Sequence, residues 1–511
     1  MQKTIHLALA LPGSGKTHTF LSAANGLIKS GKKILYSVPT KALADEIVGR
    51  LPFGLTVTRI DSDIKTSVST TRRLKDALAP ESGSNFIICQ HATLHTCPLE
   101  HLKDWMLVID ETPTILETPS YTFTKEQFEK INYIEVVDNR IQIINGMRNA
   151  LIKELSECTA SMSDSHTTNA STISKSVHDI FSALVDEDVV FHGLGKSNNT
   201  EKFELVNAAT SGTETVRIIR ENDFFSRFQA ASETHLLTAT VEGGLFDYYA
   251  KMHGFRYIES IFQPKKRTKF PGIRIYPMLA KKATFSKALA LTENVSLPGV
   301  KNLTAMVNRV LENTGGETCL LFTHEWGQGF YDNKIIVCKV DSRGIDSLKN
   351  HHNAMVAIHG NPTAPERRSL EYVAKKHSSS LAALTQAWKV TKKFEVTLQN
   401  VFRTGLRKTF AHDELEITCE REICLYVQDY ETIGYLKIFL PTAIIDESLA
   451  ACYRAENRRG RRQHPNKPMM ILMIKARHTT EEIRKETGLS RKTICEARRL
   501  LDIPSKPKTS C

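Results

Sequence analysis

The stretch Ala10-Leu11-Pro12-Gly13-Ser14-Gly15-Lys16-Thr17 follows an apolar run, residues 5–11, and opens an amphipathic pattern that predicts a helix. A strand, a glycine-rich loop and a helix in this order are the context of a phosphate-binding loop. The glycines allow backbone N–H groups to surround phosphates, and the N-terminus of the helix favours their negative charge. Lys16 is expected to reach the β- and γ-phosphates, and the Thr17 hydroxyl is expected to hold Mg²⁺. The stretch therefore predicts a nucleoside triphosphate site, with ATP as the default nucleotide, although Ala10 replaces the first glycine of the pattern.

The composition is typical of a soluble globular protein. The chain has 511 residues, of which 41% are hydrophobic, so it is long enough for two to four domains. No apolar stretch approaches the roughly 20 residues of a membrane helix, and the first apolar run is too short for a secretory signal. The ten cysteines show no zinc-ligand spacing, with Cys419 and Cys424 as the closest pair. We expect a cytoplasmic protein without a membrane partner.

Positive charge is concentrated near the C-terminal end. The formal net charge is +12, and residues 454–511 hold 16 lysines and arginines but only 6 acidic residues, so they carry about +10 of it. A basic segment attached to a near-neutral body is typical of a protein that binds nucleic acid.

The apolar runs of the first 117 residues alternate with amphipathic segments. This rhythm predicts a doubly wound parallel sheet with its ligand at the carboxyl ends of the strands. Expected helices follow Thr17, Lys41 and Thr70. The expected strands are residues 4–11, 33–38, 55–60, 85–89 and 106–109, with 235–239 returning later, and 318–322, 334–340 and 354–359 in a second alternating region.

Three domains follow from this organisation. We expect a first RecA-like domain at 1–255, a second at 256–450, and a basic linker with a small all-α domain at 451–511. Helical patterns and a polar tract, residues 161–176, predict a mainly helical insertion at about 118–230 in the first domain.

Two carboxylates follow an apolar strand in Leu107-Val108-Ile109-Asp110-Glu111. Asp110 is suited to ordering Mg²⁺. Glu111 is suited to orienting and deprotonating the water that attacks the γ-phosphate. Such pairs are common at strand ends for solvation alone, but beside a phosphate-binding loop the pair predicts ATP hydrolysis.

With these residues the chain resembles the superfamily 2 helicases of DEAD/DEAH-like type. Residues 39–46 are similar to the family segment that grips the nucleic-acid backbone, which implies that Pro39, Thr40 and Lys41 contact nucleic acid. Residues 90–94 resemble the next backbone-contact motif, which implies the same for Thr93. Thr238-Ala239-Thr240 resembles the motif that couples hydrolysis to strand movement, through Thr238 and Thr240.

The second half resembles the remaining helicase motifs. Residues 342–346 resemble a motif that lines the nucleotide cleft, which implies nucleotide contacts for Gly344 and Asp346. Residues 399–407 are similar to the motif whose arginines reach the γ-phosphate across the cleft. The resemblance implies catalytic roles for Gln399, Arg403 and Arg407. Phe402 replaces a glycine and Arg407 lies one residue late, so either arginine can be the finger.

Residues 478–494 predict two short helices separated by a turn at Gly488, with Ser490 as the cap of the second helix. The pattern resembles the helix–turn–helix of resolvases and many bacterial regulators. The alternatives are a generic helical hairpin or one used for protein contacts. The resemblance implies that the second helix presents Ser490, Arg491, Lys492 and Thr493 to the major groove of DNA, while Arg458, Arg459, Arg461 and Arg462 contact phosphates.

These features predict an ATP-dependent DNA helicase or translocase. The core resembles phage or plasmid helicases, which implies the cytoplasm of a bacterium or a phage-infected cell. Expected partners are DNA and proteins of replication or recombination. One alternative is a DNA-binding initiator or regulator that uses ATP as a switch with little unwinding. The other is an RNA helicase, which the helix–turn–helix pattern disfavours because side chains cannot read the major groove of A-form RNA.

Overall fold

The computed structural model describes residues 3–52, 54–63, 68–163, 175–193, 213–265, 272–340, 347–407, 421–453 and 466–500. The chain divides into two compact units. The larger unit consists of Met1–Leu291 with Lys301–Cys452, and the smaller consists of Thr292–Val300 with Tyr453–Cys511.

The N-terminal part of the larger unit alternates strands and helices as the sequence predicts. Strand β2 is almost entirely buried, as expected for a parallel strand that helices cover on both faces. Polar residues cap the helices, since Thr40 accepts from the Leu43 N–H and Ser69 from the Arg72 N–H. The elements are β1 (Thr4–Leu9), α1 (Lys16–Lys29), β2 (Lys33–Val38), α2 (Lys41–Gly49), β3 (Thr58–Ile60), α3 (Thr70–Leu78), β4 (Phe86–Gln90), α4 (His91–Leu94) and β5 (Trp105–Asp110).

The insertion that follows β5 contains the expected helices together with an antiparallel sheet that the sequence did not predict. Its strands form an antiparallel sheet in the order β6-β11-β10-β9-β8, with β7 also paired to β11. Asp138 and Asn139 both have positive φ, at 49° and 62°, which suits a two-residue hairpin turn between alternating runs. The sequence analysis missed the sheet because its strands are short. The elements are β6 (Leu116–Glu117), β7 (Ser120–Thr124), α5 (Lys125–Glu129), β8 (Ile134–Val137), β9 (Arg140–Ile143), α6 (Arg148–Ser163), α7 (Lys175–Val185), β10 (Val189–His192) and β11 (Thr213–Glu221).

The chain then returns to complete the first parallel sheet. The added elements are α8 (Phe224–Ala230), β12 (Glu233–Thr238), α9 (Leu245–Met252) and β13 (Arg256–Glu259). The sheet order is β13-β1-β12-β5-β2-β4-β3. Strands β1, β12 and β5 therefore lie side by side, and their carboxyl ends meet at one edge. Because β13 pairs with β1, the first sheet extends beyond the predicted boundary at 255.

A second parallel sheet has the order β18-β17-β19-β20-β14-β21, so the predicted organisation with two parallel sheets is confirmed. Helices α12 and α13 of this half share a hydrophobic core with α8 and α9 of the first sheet, including Leu370, Trp388, Phe225 and Tyr249. A π-helical turn, Val390–Glu395, follows α13. The elements are β14 (Ile273–Pro277), α10 (Lys287–Leu291), α11 (Asn302–Asn313), β17 (Cys319–Thr323), β18 (Ile335–Lys339), β19 (Asn353–Ala357), α12 (Ala364–Lys376), α13 (Leu381–Lys389), α14 (Val396–Val401), β20 (Ile423–Val427), α15 (Tyr430–Phe439) and β21 (Ile444–Ile445), while β15 (Glu293–Asn294) and β16 (Leu297–Lys301) form a separate hairpin.

The described residues of the smaller unit include three helices, α16 (Lys467–Lys475), α17 (Thr480–Thr487) and α18 (Arg491–Leu500). A capping box between Thr479 and Glu482 starts α17, and Gly488 ends it with φ of 68°. The helices pack around a small apolar core that consists of Met470, Ile474, Ile483, Leu489 and Ile494.

Candidate functional site

The glycine-rich loop lies between β1 and α1. Gly13 and Gly15 have φ of 80° and 84°, so both occupy the left-handed region that a larger residue would strain. No side chain caps the N-terminus of α1, and such a helix N-terminus favours an anion. The Ser14 N–H and hydroxyl both donate to the Leu11 carbonyl, which closes a turn over Leu11, Pro12, Gly13 and Ser14 directly after Ala10. The loop thus has the backbone geometry that phosphate binding needs.

Asp110 meets the loop at the carboxyl end of β5. The Thr17 hydroxyl donates to Asp110 Oδ2 at 3.0 Å, and the Tyr36 hydroxyl donates to the same oxygen at 2.6 Å. Adjacent ligands of an octahedral Mg²⁺ are also about 3 Å apart, so the Thr17 and Asp110 oxygens fit this ion. Sequence reasoning missed Tyr36, which lies in β2 and reaches Asp110 only because β2 and β5 pair.

Lys16 carries a perturbed charge at this site. Its ammonium donates to the carbonyls of Ala10 and Leu11. Burial lowers the pKa of Lys16 to about 8, although the charges of Asp110 and Glu111 oppose this shift. Burial also raises the pKa of Asp110, against the hydrogen bonds from Tyr36 and Thr17. Both groups are buried, so a nucleotide phosphate beside Lys16 and Mg²⁺ beside Asp110 would stabilise their charged forms.

Glu111 has a strained backbone. Its φ is 66°, in the left-handed region that costs a residue other than glycine on the order of 1 kcal/mol or more. A hydrogen bond from its N–H to the Leu237 carbonyl, 2.9 Å long, holds this conformation at the edge of β12. The neighbouring strand therefore helps to fix the residue expected to orient the attacking water.

The segment Thr238-Ala239-Thr240 lies between the two sheets. The Ala10 N–H donates to the Thr238 carbonyl at 3.1 Å, so the segment is bonded directly to the phosphate loop. The Thr238 hydroxyl donates to the Thr240 carbonyl at 2.9 Å. The Tyr435 hydroxyl of α15 lies 3.2 Å from Thr240 Oγ1, a contact that sequence reasoning missed. This segment thus joins the loop to the second half of the chain.

The structure separates the two candidate arginines. A Cβ placed on Gly13 would lie 3.2 Å from Cγ of Arg407, so Arg407 lies against the phosphate loop. Arg403 is buried, with 4% of its surface exposed, just after α14, and Gln399 is half-buried on that helix. Gly344 and Asp346 lie outside the described residues.

The predicted nucleic-acid contacts of the larger unit lie at the carboxyl ends of two paired strands, β2 and β4. Pro39 and Thr40 directly follow β2, and Lys41 forms an ion pair with Asp63. Thr93 lies in α4 after β4 and is 8% exposed.

In the smaller unit, the predicted DNA contacts lie at the start of α18. Ser490 caps this helix by accepting from the Thr493 N–H at 3.2 Å, and Arg491 is exposed in the first turn, where Lys492 also falls. The other predicted phosphate contacts, Arg458, Arg459, Arg461 and Arg462, lie outside the described residues.

Residues 2–146 match the family model of the DEAD/DEAH box helicases. The match includes the phosphate loop, Asp110 and Glu111, and it ends within the insertion. No curated protein matches the chain. None of the described helices combines the length and the apolar character that crossing a membrane requires.

Solved structures also match the chain at low similarity. Xpd4 of S. tokodaii is 11% identical with a TM-score of 0.43, over 87% of this chain and 96% of that one. The DUF1998 helicase MrfA bound to DNA and AMPPNP is 12% identical with a TM-score of 0.30, over 87% of this chain and 50% of that one. Mss116p bound to ssRNA and AMP-PNP is 10% identical with a TM-score of 0.30, over 98% of this chain and 83% of that one.

Glu395 generates a pH-dependent prediction at the contact between the two halves. Its carboxylate is packed against Gly244, where an added Cβ would lie 2.5 Å from Oε1, and the neighbouring Thr391 hydroxyl accepts from the Leu245 N–H. Burial raises the pKa of Glu395 from 4.5 to about 7, while a hydrogen bond with Thr391 opposes the shift. The folded chain therefore binds more protons than the unfolded chain between these pH values, and the free energy of unfolding should fall as pH rises through this range.

We expect Glu395→Gln to remove the fall in the free energy of unfolding with rising pH. At about pH 8 the variant should have a free energy of unfolding on the order of 1–3 kcal/mol above that of wild type. Denaturant titrations at about pH 4 and about pH 8 measure it. The exposed Glu242 provides the matched control, since Glu242→Gln should leave the pH dependence unchanged. Equal pH dependence of wild type and Glu395→Gln would contradict the prediction.

Proposed function

We propose that the chain is an ATP-driven DNA helicase or translocase that acts in replication or recombination. The observation that carries the proposal is the convergence of Lys16, Thr17, Asp110 and Glu111 at one sheet edge, with Arg407 of the second half against the same loop. The match of residues 2–146 to the DEAD/DEAH box helicases supports it.

Each side chain of the site has a separate role in ATP hydrolysis. Lys16 and the N–H groups of the loop bind the phosphates, and Thr17 and Asp110 would hold Mg²⁺, which neutralises charge on the phosphate oxygens. Glu111 orients the attacking water and accepts its proton. Arg407 binds the charge that develops on the γ-phosphate. Because Arg407 belongs to the second half of the chain, the nucleotide favours the arrangement in which both halves contact it.

The coupling to DNA runs through the segment after β12. Thr238 is bonded to the loop at Ala10, and Thr240 is bonded to Tyr435. A change in the nucleotide therefore reaches the second half through two hydrogen bonds. The first half would contact DNA through Thr40, Lys41 and Thr93. These contacts would then move relative to the DNA contacts of the second half, which would shift the protein along a DNA strand.

The first prediction from the proposed function concerns hydrolysis. Lys16→Ala should abolish ATP turnover because it removes the ammonium that binds the phosphates. Glu111→Gln should retain ATP binding and lower turnover at least about 100-fold, because an amide cannot accept the proton. Phosphate release with and without DNA measures turnover, and filter binding measures nucleotide affinity.

Two exposed residues provide controls for that experiment, Lys29 at the far end of α1 and Glu100 before β5. Lys29→Ala and Glu100→Gln should retain turnover. Full activity of Glu111→Gln, or turnover unaffected by DNA and RNA alike, would contradict the proposal. Stimulation and strand displacement with RNA but not DNA would indicate the RNA helicase, and stimulation without displacement or movement would indicate the ATP switch.

The second prediction distinguishes the arginines. Arg407→Ala should lower turnover on the order of 1,000-fold without weakening DNA binding, because it removes a charge from the transition state. Arg407→Lys should recover only part of the loss, since an ammonium lacks the planar fork of donors. The exposed Arg421, on the same half, is the control, and Arg421→Ala should be fully active. Full turnover of Arg407→Ala would remove the assignment.

The third prediction concerns the smaller unit, for which we propose a helix–turn–helix that binds duplex DNA. Deletion of residues 454–511 removes about +10 of charge but leaves the ATP site intact. Affinity for duplex DNA should fall and its salt dependence should become weaker, because fewer counterions are released. Binding titrations at several salt concentrations measure both quantities.

Two arginines of the smaller unit form a matched pair for that test. Arg491 starts α18 and Arg484 lies on α17, and both are exposed. Arg491→Ala should cost about 1–3 kcal/mol on a preferred sequence if it contacts a base, and Arg484→Ala should cost less. Identical affinity and salt slope of full-length and truncated chains would contradict DNA binding by this unit.

A further inference from the structure

Two histidines and a glutamate lie together on one face of the first sheet. His6 of β1 and His235 of β12 are direct partners in the parallel register. Glu233 precedes His235 by two residues and therefore points to the same face. The imidazole rings of His6 and His235 stack, with centroids 4.7 Å apart. The register of the sheet thus collects three side chains that commonly bind metals.

The glutamate directs one oxygen at both imidazoles. Glu233 Oε1 lies 2.9 Å from Nε2 of His235 and 3.8 Å from Nε2 of His6. Its second oxygen, Oε2, lies 3.4 Å from the Lys32 ammonium. One nitrogen of each ring and one carboxylate oxygen therefore face a common point.

A second group fixes the orientation of the central ring. Nδ1 of His235 lies 2.8 Å from the Ser260 hydroxyl, and the Phe262 N–H donates to the same hydroxyl at 3.1 Å. The ring also packs against the Phe262 ring, with centroids 4.6 Å apart. A histidine that ligates a metal commonly donates its other ring N–H to such a partner. Ser260 and Phe262 hold Nε2 of His235 towards Glu233.

We propose that His6, Glu233 and His235 form a binding site for Zn²⁺ or a similar divalent transition metal. Two His nitrogens and one carboxylate oxygen are a recognised ligand set of zinc. Tetrahedral ligands at zinc distances are about 3.3 Å apart. Glu233 Oε1 lies 2.9 and 3.8 Å from the two imidazole nitrogens, and all three ligand atoms lie within 4.8 Å of one another. His6 and Glu233 each keep about a quarter of their side chain exposed, which gives water access to a fourth position.

The site would connect two strands of the proposed ATPase at a distance from its nucleotide. Strands β1 and β12 continue from it to Ala10 and Thr238, which are hydrogen-bonded to each other. The metal would stabilise this strand pair and takes no part in hydrolysis. The proposal does not depend on helicase activity, because it concerns only metal binding and stability.

The test uses the full chain, stripped of metal by chelator and then titrated with Zn²⁺ alone. Wild type should bind about one equivalent more than His6→Ala, and Zn²⁺ should raise its melting temperature but not that of the variant. Ser260→Ala should retain the ligands and weaken affinity by about 10–100-fold. Lys32→Met should bind more tightly, because it removes a positive charge beside Glu233.

The control is His178→Ala on α7, since His178 is 26% exposed and His6 is 24% exposed. This variant should retain the zinc content and the thermal shift of wild type. Any zinc bound by the ten cysteines is the same in every variant and does not affect the comparison. Glu233→Gln tests the carboxylate without removing side-chain volume. Equal zinc content in wild type, His6→Ala and Glu233→Gln would overturn the proposal, as would equal losses in His6→Ala and His178→Ala.

Discussion

The pairing of β12 with both β1 and β5 is the constraint on which the rest of the structure depends. Strand β12 lies more than 100 residues after β5 in the sequence, yet it occupies the place between β5 and β1. This position brings the Thr238 carbonyl to the Ala10 N–H and the Leu237 carbonyl to the Glu111 N–H. One strand therefore sets the entry to the phosphate loop, the conformation of Glu111 and the start of the segment that contacts the second half.

The insertion between β5 and β12 contacts both the first sheet's helices and the second half of the chain. Its last strand, β11, ends at Glu221, whose carboxylate accepts from Tyr249 of α9 at 2.7 Å and contacts His377 at 2.6 Å. Burial raises the pKa of Glu221, but hydrogen bonds from Lys376, Tyr249 and His377 together lower it below its usual value. With α12 and α13 sharing the core of the first sheet, the insertion and the second half are joined by packed side chains as well as by the backbone.

A buried ion pair joins the π-helical turn to α15. Lys393 of the π-helical turn forms an ion pair with Asp429 at 2.7 Å, and both side chains are almost fully buried. Asp429 also caps α15 by accepting from the Thr432 N–H, so its charge has partners on two elements. Removing one member of such a pair costs far more than breaking an exposed one. The pair fixes the turn against the helix that carries Tyr435, the contact of Thr240.

The sequence by itself determined the local elements and their chemistry. The spacing of Gly13, Gly15, Lys16 and Thr17 fixed the loop, and the alternation of apolar runs predicted the parallel sheets, because both depend on residues close together in the chain. The antiparallel sheet of the insertion was not predicted, since its short strands are stabilised mainly by pairing with distant partners such as β11. The helicase roles of the individual residues stay predictions.

Only the tertiary structure decided which distant groups meet. It placed Arg407 rather than the buried Arg403 against Gly13, brought Tyr36 to Asp110 and Tyr435 to Thr240, and set His6 beside His235. Each of these contacts depends on strand order, register or the packing of one half on the other. A local pattern cannot encode them, because side chains far apart in the sequence come within hydrogen-bond distance only when the whole sheet has formed.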